Sequence, residues 1–153
     1  MDLQAKQILE VAFSLFSLYG IKSVTMDDIA HKLGMSKKTL YKYYPNKKKL
    51  VFDITSFKVN VSESQCIIRC NEAKDPIHEF ILMMELLRKM FGNTNPSMLY
   101  DLQKYHHDAW ELMEKHKNEF VFGIIVNNLN KGIELGLYRK NLKVDVLAKM
   151  RSE

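Results

Sequence analysis

Apolar side chains recur along this chain at three- and four-residue intervals, which is the spacing of one face of an α-helix. Such a stripe runs through about residues 2–19 and ends at Gly20; its members are Ile8, Val11, Ala12, Leu15, Phe16 and Tyr19. Two shorter helical segments follow, about 26–33 and 37–43, with a turn at Gly34 between them. A short helix pair joined by about three residues that include glycine is the helix-turn-helix pattern. The pair alone buries too little to be stable, so we expect the first helix to pack over it with its stripe in the core.

Both short helices carry their own start and stop signals. Thr25 followed three residues later by Asp28 is typical of a capping box at a helix start. Gly34 can adopt the left-handed conformation that ends a helix. Ser36 is a good N-cap for the second helix of the pair, and Pro45 prevents that helix from continuing far. These signals predict the bounds of the motif.

Helical spacing continues beyond Pro45. We expect helices over about 47–71, 76–91, 96–105 and 109–136, and another that begins at Val144. The stripe on the second of these comprises Ile77, Phe80, Ile81, Met84, Leu87 and Phe91. The stretch 120–126 is apolar almost all round, which predicts a place at the centre of a bundle. Strand-like alternation does not occur, so the sequence predicts an all-α fold with two lobes.

The positive charge of the chain is concentrated in its first third. The net charge is +5; the first fifty residues hold nine lysines against four acidic residues, whereas the remainder holds fourteen of each sign. Seven lysines and no acidic residue lie between His31 and Leu50. A charge cluster is often only a solvated surface, but its coincidence with the helix-turn-helix favours phosphate binding.

Other functional classes find little support in the sequence. No apolar run is long enough to span a membrane and no signal-peptide layout is present, so we expect a soluble, cytoplasmic protein. Cys66 and Cys70 lack metal-ligand partners, and the adjacent His106 and His107 point about 100° apart on a helix, so no metal is expected. A glycine-rich phosphate loop, a nucleophile elbow and a His-Glu-x-x-His pair are missing, so we expect neither an enzyme nor a cofactor.

The stretch from Thr25 to Leu50 resembles the DNA-binding signature of the tetracycline-repressor (TetR/AcrR) family. The matching elements are Tyr19-Gly20, Thr25, Asp28-Ile29-Ala30, Gly34-Met35-Ser36, Thr39-Leu40-Tyr41, Tyr43-Tyr44, Asn46-Lys47 and Leu50. An ordered string of this length is far more specific than a bare helix-turn-helix. Further on, Gly132, Gly136 and Leu137-Tyr138-Arg139 resemble the family's Gly-x-x-x-Gly stretch before its dimerisation helices. Lys38 is a departure, because many family members carry glycine at that position.

The resemblance implies an all-helical homodimer. Residues 1–46 would form a helix-turn-helix domain that binds a palindromic operator, and residues 47–153 a helical ligand-binding and dimerisation lobe. In the family's commoner mode, a small-molecule effector releases a repressor from double-stranded DNA. Family members usually continue further, so we expect the lobe to be incomplete at its C-terminus. The alternatives are an effector-independent DNA-binding or architectural helical protein, and a helical interaction module that never meets DNA.

The candidate DNA contacts lie on and beside the recognition helix, residues 37–43. Residues at the N-terminal end of such a helix reach base edges in the major groove, which favours Lys37, Lys38 and Thr39. Leu40 and Tyr44 would face the core. The full predicted set is Thr25, Ser36, Lys37, Lys38, Thr39, Tyr41, Lys42, Tyr43, Lys47 and Lys48.

Several other members of that set are expected at phosphates. The resemblance assigns this role to Thr25, Ser36, Tyr43 and Lys47. Lys47 and Lys48 also stand in the first turn of a helix, where a phosphate would relieve their repulsion from the positive helix end. For Tyr41 the sequence leaves two roles equally open, packing in the core and contact with DNA.

A ligand pocket in the second lobe is implied by the resemblance alone. Its candidate lining residues are Met83, Met84, Leu87, His106, Trp110, Met113, His116 and Phe120. Methionine side chains adapt to varied ligands, which suggests an apolar effector. The alternative is that these residues are ordinary core.

Overall fold

A computed structural model describes residues 2–152, and its regular structure in that range is helical throughout, which confirms the all-α prediction. The helices are α1 (Leu3–Tyr19), α2 (Met26–Leu33), α3 (Lys37–Tyr43), α4 (Lys47–Glu72), α5 (Pro76–Phe91), α6 (Pro96–Tyr105), α7 (His107–His116), α8 (Phe122–Glu134) and α9 (Val144–Ser152). A π-helical turn, Lys117–Val121, connects α7 to α8.

The chain divides into two compact units. The first consists of the residues up to Lys58 together with Asn93–Leu112, and the second of Val59–Gly92 together with the residues from Met113 onward. Each unit therefore combines segments that are distant in sequence. The functional boundary that the sequence predicts after residue 46 stays a prediction.

The core of the first unit consists of almost fully buried apolar side chains. Its most buried large side chains are Ile8, Leu9, Phe16, Ile21, Ile29, Leu40, Leu50 and Val51, none of which exposes more than 2% of its surface. The predicted α1 stripe is confirmed for Ile8, Ala12 and Phe16. It is wrong for Tyr19, which is 60% exposed, while Leu9 is buried instead.

Helix α6 is fixed against the end of α1 by polar contacts. The backbone N–H of Asn95 donates to the carbonyl of Ser17 over 2.8 Å. The carboxylate of Asp101, which is 6% exposed, accepts a 2.7 Å hydrogen bond from the backbone N–H of Lys22. Gly20 has φ of 82°, and a Cβ there would lie 2.6 Å from the hydroxyl of Ser97. This approach therefore requires glycine.

In the second unit, α5 buries a different face from the one its largest side chains suggest. All six members of the predicted stripe, Ile77, Phe80, Ile81, Met84, Leu87 and Phe91, are 37–50% exposed. The buried residues of α5 are Pro76, Glu79 and Leu86, on the side that packs against α8. Because α5 is apolar around most of its circumference, spacing alone did not identify the packed face.

The predicted long helix over about 109–136 is observed as an unbroken helical run through α7 and α8 that ends at Glu134, with the π-helical turn inserted within it. The stretch 120–126 is half-buried or exposed rather than central. In α8 the buried residues are Asn128, Leu129 and Gly132. Several apolar side chains of this stretch border an open cavity, described below, and an open cavity leaves its lining partly exposed.

The segment after α8 folds back onto that helix. Gly136 has φ of 71°, and the backbone N–H groups of Leu137 and Tyr138 both donate to the carbonyl of Gly132 over 2.9 Å. The ring of Tyr138 then occupies the place where a Cβ of residue 132 would stand. A side chain at residue 132 would therefore displace the ring.

Candidate nucleic-acid interface and ligand cavity

The start of α2 is fixed by a complete capping box. The hydroxyl of Thr25 accepts a 3.1 Å hydrogen bond from the backbone N–H of Asp28, and the Asp28 carboxylate accepts a 2.8 Å bond from the backbone N–H of Thr25. The Thr25 hydroxyl also donates to the Asp28 carboxylate over 2.7 Å, and this bond first, then the bond from the Thr25 backbone N–H, lowers the pKa of Asp28. The predicted cap is confirmed, as is the left-handed Gly34 with φ of 64° that ends the helix. Both ends of α2 are therefore defined by local backbone and side-chain geometry.

The recognition helix α3 begins at a second cap. Ser36 Oγ accepts a 3.1 Å hydrogen bond from the backbone N–H of Thr39, and its oxygen lies 2.8 Å from the Thr39 hydroxyl. Leu40 is fully buried and Tyr44 is 5% exposed, as the sequence predicts. With those two side chains directed into the core, Lys38 and Lys42 are exposed on the opposite face.

The lysines of the motif differ in how far their charge is already balanced. Lys37 pairs with Asp27, Lys48 with Asp108 at 3.5 Å, and Lys49 with Asp53 at 2.6 Å. Within residues 2–152, Lys38 and Lys42 have no such acidic partner. An exposed ion pair contributes at most about 1 kcal/mol, so a phosphate can readily replace the carboxylate at a paired lysine.

Three predicted contacts stand in more restricted surroundings. Lys47 is half-buried with its Nζ 5.8 Å from the ring centre of Phe16, and burial lowers its pKa against the opposing pull of two carboxylates. The hydroxyl of Tyr43 donates to Gln4 Oε1 over 2.7 Å, which ties α3 to the start of α1. Tyr41 is 44% exposed, so its ring is shared between packing and solvent.

The second unit contains a cavity of about 270 Å³ between α4, α5, the π-helical turn, α8 and α9. Its lining residues are Ser62, Cys66, Glu79, Phe80, Met83, Met84, Leu86, Leu87, Met90, Val121, Ile124, Ile125, Asn128 and Arg151. Of the residues that the sequence proposes for a pocket, Met83, Met84 and Leu87 line this cavity.

The other five proposed pocket residues do not line it. His106 and Trp110 belong to the first unit. His116 packs on Ser62 and Glu63 and stacks on Phe120 with ring centres 5.3 Å apart. From this part of the chain the cavity is lined by Val121, Ile124 and Ile125, whereas Met113, His116 and Phe120 are not among its lining residues.

A polar network that the sequence reasoning missed lies at one end of the cavity. Asn128 Nδ2 donates to Glu79 Oε1 over 3.0 Å and to the carbonyl of Pro76 over 2.9 Å. The hydroxyl of Tyr138 lies 3.2 Å from both Asn128 Oδ1 and that carbonyl. The sequence signal available for it was Glu79 itself, an acidic residue on the face of α5 opposite the predicted stripe. The pKa of Tyr138 is raised, mainly because its hydroxyl is partly buried.

The described residues contain neither a candidate metal site nor a candidate membrane-spanning helix. Across residues 2–152, no group of three or more His, Cys, Asp or Glu side chains is arranged to hold a metal ion. In the same range, no helix combines the length and the apolar character needed to cross a membrane.

A model of the family described as bacterial regulatory proteins, tetR family, matches residues 8–54. The matched region comprises most of α1, all of α2 and α3, and the first two turns of α4. It therefore coincides with the helix-turn-helix.

Among curated proteins, two similar ones are described as uncharacterized HTH-type transcriptional regulators. YvaF of Bacillus subtilis (strain 168) is 33% identical over 127 residues, which is 82% of this chain and 66% of that protein. YxaF of the same organism is 27% identical over 90 residues, 58% of this chain and 47% of that protein. The chain thus spans just under two thirds of YvaF and less than half of YxaF.

Solved structures share the fold along most of the chain. A regulator from Saccharomonospora viridis in complex with choline gives a TM-score of 0.82 at 20% identity, over 96% of this chain and 78% of that one. AibR in complex with isovaleryl coenzyme A and operator DNA gives a TM-score of 0.71 at 21% identity, over 96% of this chain and 80% of that one. A TetR/AcrR-family regulator from Thermobifida fusca gives a TM-score of 0.73 at 20% identity, over 99% of this chain and 81% of that one. At these identities the likeness shows the fold alone.

Proposed function

Because the chain belongs to the tetR family of bacterial regulatory proteins, we propose that it represses transcription from a palindromic operator and is released by a small-molecule effector. That it is a DNA-binding transcriptional regulator follows from the family. Repression, the operator's symmetry and release by an effector are the proposed part. Its relatives are regulators rather than enzymes, and we expect it to act in the cytoplasm, where its DNA target lies.

The observation that carries the proposal is the exposed face of α3. Local caps fix both ends of the turn, Leu40 anchors the helix in the core, and Lys38 and Lys42 extend from the other side without acidic partners among residues 2–152. A major groove admits one α-helix, and lysine there can donate to guanine O6 and N7. This face therefore has the shape and charge to enter duplex DNA.

We assign different roles to the residues around that face. Lys38 and Thr39 would contact base edges, whereas Lys42 would contact phosphate. Lys37 and Lys48 would exchange their carboxylate partners for phosphates. Thr25 and Ser36 would present backbone and hydroxyl groups at helix N-termini, where anions bind favourably. Tyr43 would act by holding α3 against α1, in addition to any phosphate contact.

We also propose that the protein binds DNA as a homodimer. A helix-turn-helix of this size reads only a few base pairs, and a palindromic site requires two copies related by twofold symmetry. Light scattering after size exclusion, with and without operator, would measure the number of chains.

The effector lobe is supported by the cavity in the second unit. Structural neighbours hold ligands as different as choline and isovaleryl coenzyme A, so they do not define one effector class. A DNA-binding or architectural protein without an effector is the rival function. The cavity favours the regulated alternative, since its volume is close to the roughly 300–1,000 Å³ of known ligand pockets.

Selection of bound duplexes from a random DNA library tests the proposal. We expect the selected sites to be palindromic, with half-sites about one helical turn apart. Thr39→Ala should change the selected bases, whereas Lys42→Ala should weaken binding to all sequences alike. Recovery of unrelated sequences with equal affinity would instead favour an architectural protein.

A further inference from the structure

The cavity of the second unit is apolar except for a few groups, of which two are charged. Aliphatic, aromatic and methionine side chains form most of its lining, and the charged lining residues are Glu79 and Arg151. Glu79 is 5% exposed, whereas Arg151 is exposed at the surface with its guanidinium 4.8 Å from the ring centre of Phe80. The two charges therefore act in very different surroundings.

The carboxylate of Glu79 is only partly satisfied by the protein. It accepts one hydrogen bond, the 3.0 Å bond from Asn128, and it has no ion-pair partner among residues 2–152. Asn128 cannot supply a second bond, because its other N–H donates to the carbonyl of Pro76. An ionised carboxylate can accept about four hydrogen bonds, so Glu79 keeps free acceptor capacity.

The unused oxygen of Glu79 is accessible. In the part of the chain that the structure describes, the one fully buried side-chain nitrogen or oxygen without a partner is Nδ1 of His106. Glu79 Oε2 accepts no hydrogen bond, so it must retain some surface, and Glu79 contributes to the cavity lining. An oxygen with unused acceptor capacity therefore belongs to a residue that lines the cavity.

A buried charge with one neutral partner is costly, and a ligand of opposite charge offsets that cost. Electrostatic attraction is strong in such a low-dielectric site and weak at an exposed group such as Arg151, which water and salt screen. From this contrast, and on the basis of the proposed function, we propose that the effector is an organic cation with an apolar body. Its ammonium group binds Glu79, and its alkyl or aryl part packs on Met83, Met84 and Ile124.

Calorimetric titration of the full chain with three probes of equal chain length tests this ligand class. The probes are octylammonium, 1-octanol and octanoate, which present a cation, a neutral hydroxyl and an anion on the same apolar body. Hydrogen bonds to charged groups contribute about 1.5–3 kcal/mol, so octylammonium should bind about tenfold or more tightly than 1-octanol. Equal binding of the three, tighter binding of octanoate, or binding of none would overturn the proposal.

Substitutions of Glu79 and Arg151 test which of the two charged residues causes the preference for octylammonium. Glu79→Gln keeps the size of the side chain and should reduce octylammonium affinity by about tenfold while 1-octanol binds as before. Arg151→Gln is the matched control, and it should retain the preference for the cation. If Glu79→Gln fails to fold, as judged by circular dichroism, the three-probe series on the unchanged protein still decides.

Operator binding, measured in parallel, separates this inference from the proposed function. If octylammonium binds but leaves operator affinity unchanged, the ligand class stands and release by an effector is wrong. If octanoate or 1-octanol releases the operator and octylammonium does not, regulation stands and the cationic class is wrong. We expect octylammonium to release the operator from the unchanged protein and not from Glu79→Gln.

Discussion

The helix-turn-helix and the cavity region differ in what holds their side chains in place. In the first, the decisive bonds join residues three apart, as in Thr25–Asp28 and Ser36–Thr39, and the core is fully buried. In the second, Asn128 binds Glu79 across 49 residues of sequence, and many apolar side chains are half exposed. Local bonds favour a rigid surface, and open apolar packing favours adaptation.

This difference suits the two proposed tasks. Reading bases requires side chains that keep a fixed register with the groove, whereas a cavity lined by methionines can adjust to a ligand. We therefore expect core substitutions in the first unit to lower the free energy of unfolding strongly. In the lobe, we expect such losses mainly at positions that are tightly packed.

The largest expected effect is the loss of a buried leucine from the first unit. Leu40→Ala should lower the free energy of unfolding by about 2–5 kcal/mol, because it removes a fully buried side chain and leaves a cavity. Leu87→Ala, at a leucine that is 45% exposed in the lobe, should cost less than about 1 kcal/mol. Urea denaturation of both variants checks this, and equal losses would remove the contrast between the regions.

Two glycines of α8 compare a tightly packed position of the lobe with an open one. Gly132→Ala should destabilise by about 1–3 kcal/mol, because its Cβ would meet the ring of Tyr138. Gly123→Ala has open space around its Cβ and should stabilise by about 0.5–1 kcal/mol through helix propensity. Thermal denaturation distinguishes the pair. A similar effect of both substitutions would mean that Tyr138 does not pack on Gly132.

Removal of a cap should have a smaller effect. Thr25→Ala should lower stability by about 1 kcal/mol, because the N–H of Asp28 loses its acceptor. Thr25→Ser retains the hydroxyl and should restore most of the loss. If alanine and serine behave alike in urea denaturation, the capping box does not stabilise α2.

The smallest expected effect is a pH dependence in the first unit. Burial, and then Lys47 and Lys48, lower the pKa of His106 below 6.5, while Asp101 and Asp108 oppose the shift. The unfolded chain therefore binds a proton that the folded chain rejects, and stability should fall as the pH falls through about 6.5. His106→Gln should flatten the dependence of the melting temperature on pH in that window. An unchanged slope would show that another group titrates.

Much of the first unit could be predicted from sequence because its signals are local. The caps at Thr25 and Ser36, the left-handed Gly34 and the inward side of α3 all follow from residues within one or two turns. The exposure of Tyr19 was not predicted, because the helical spacing that placed it in the α1 stripe does not show which members of the stripe are buried.

The lobe was predicted as helices with a pocket, and Met83, Met84 and Leu87 of the proposed lining do border the cavity, but the rest of the lining was not predicted. The π-helical turn has no residue signature as clear as glycine or proline, so it was not predicted either. The buried side of α5 depends on its contact with α8, and only that contact makes Glu79 an interior residue. The predicted DNA contacts and the domain boundary at residue 46 stay predictions.

The most direct test of the central claim is the salt dependence of operator binding, followed by fluorescence anisotropy. Lys38→Ala and Lys42→Ala remove exposed charges of α3 that have no acidic partner within residues 2–152, and Lys104→Ala removes an equal charge from α6. We expect each α3 substitution to weaken binding, and Lys42→Ala to reduce the slope of log affinity against log salt by about one unit, with no change for Lys104→Ala. Equal affinities and slopes for all three variants and the unchanged protein would contradict the claim that this face of α3 binds DNA.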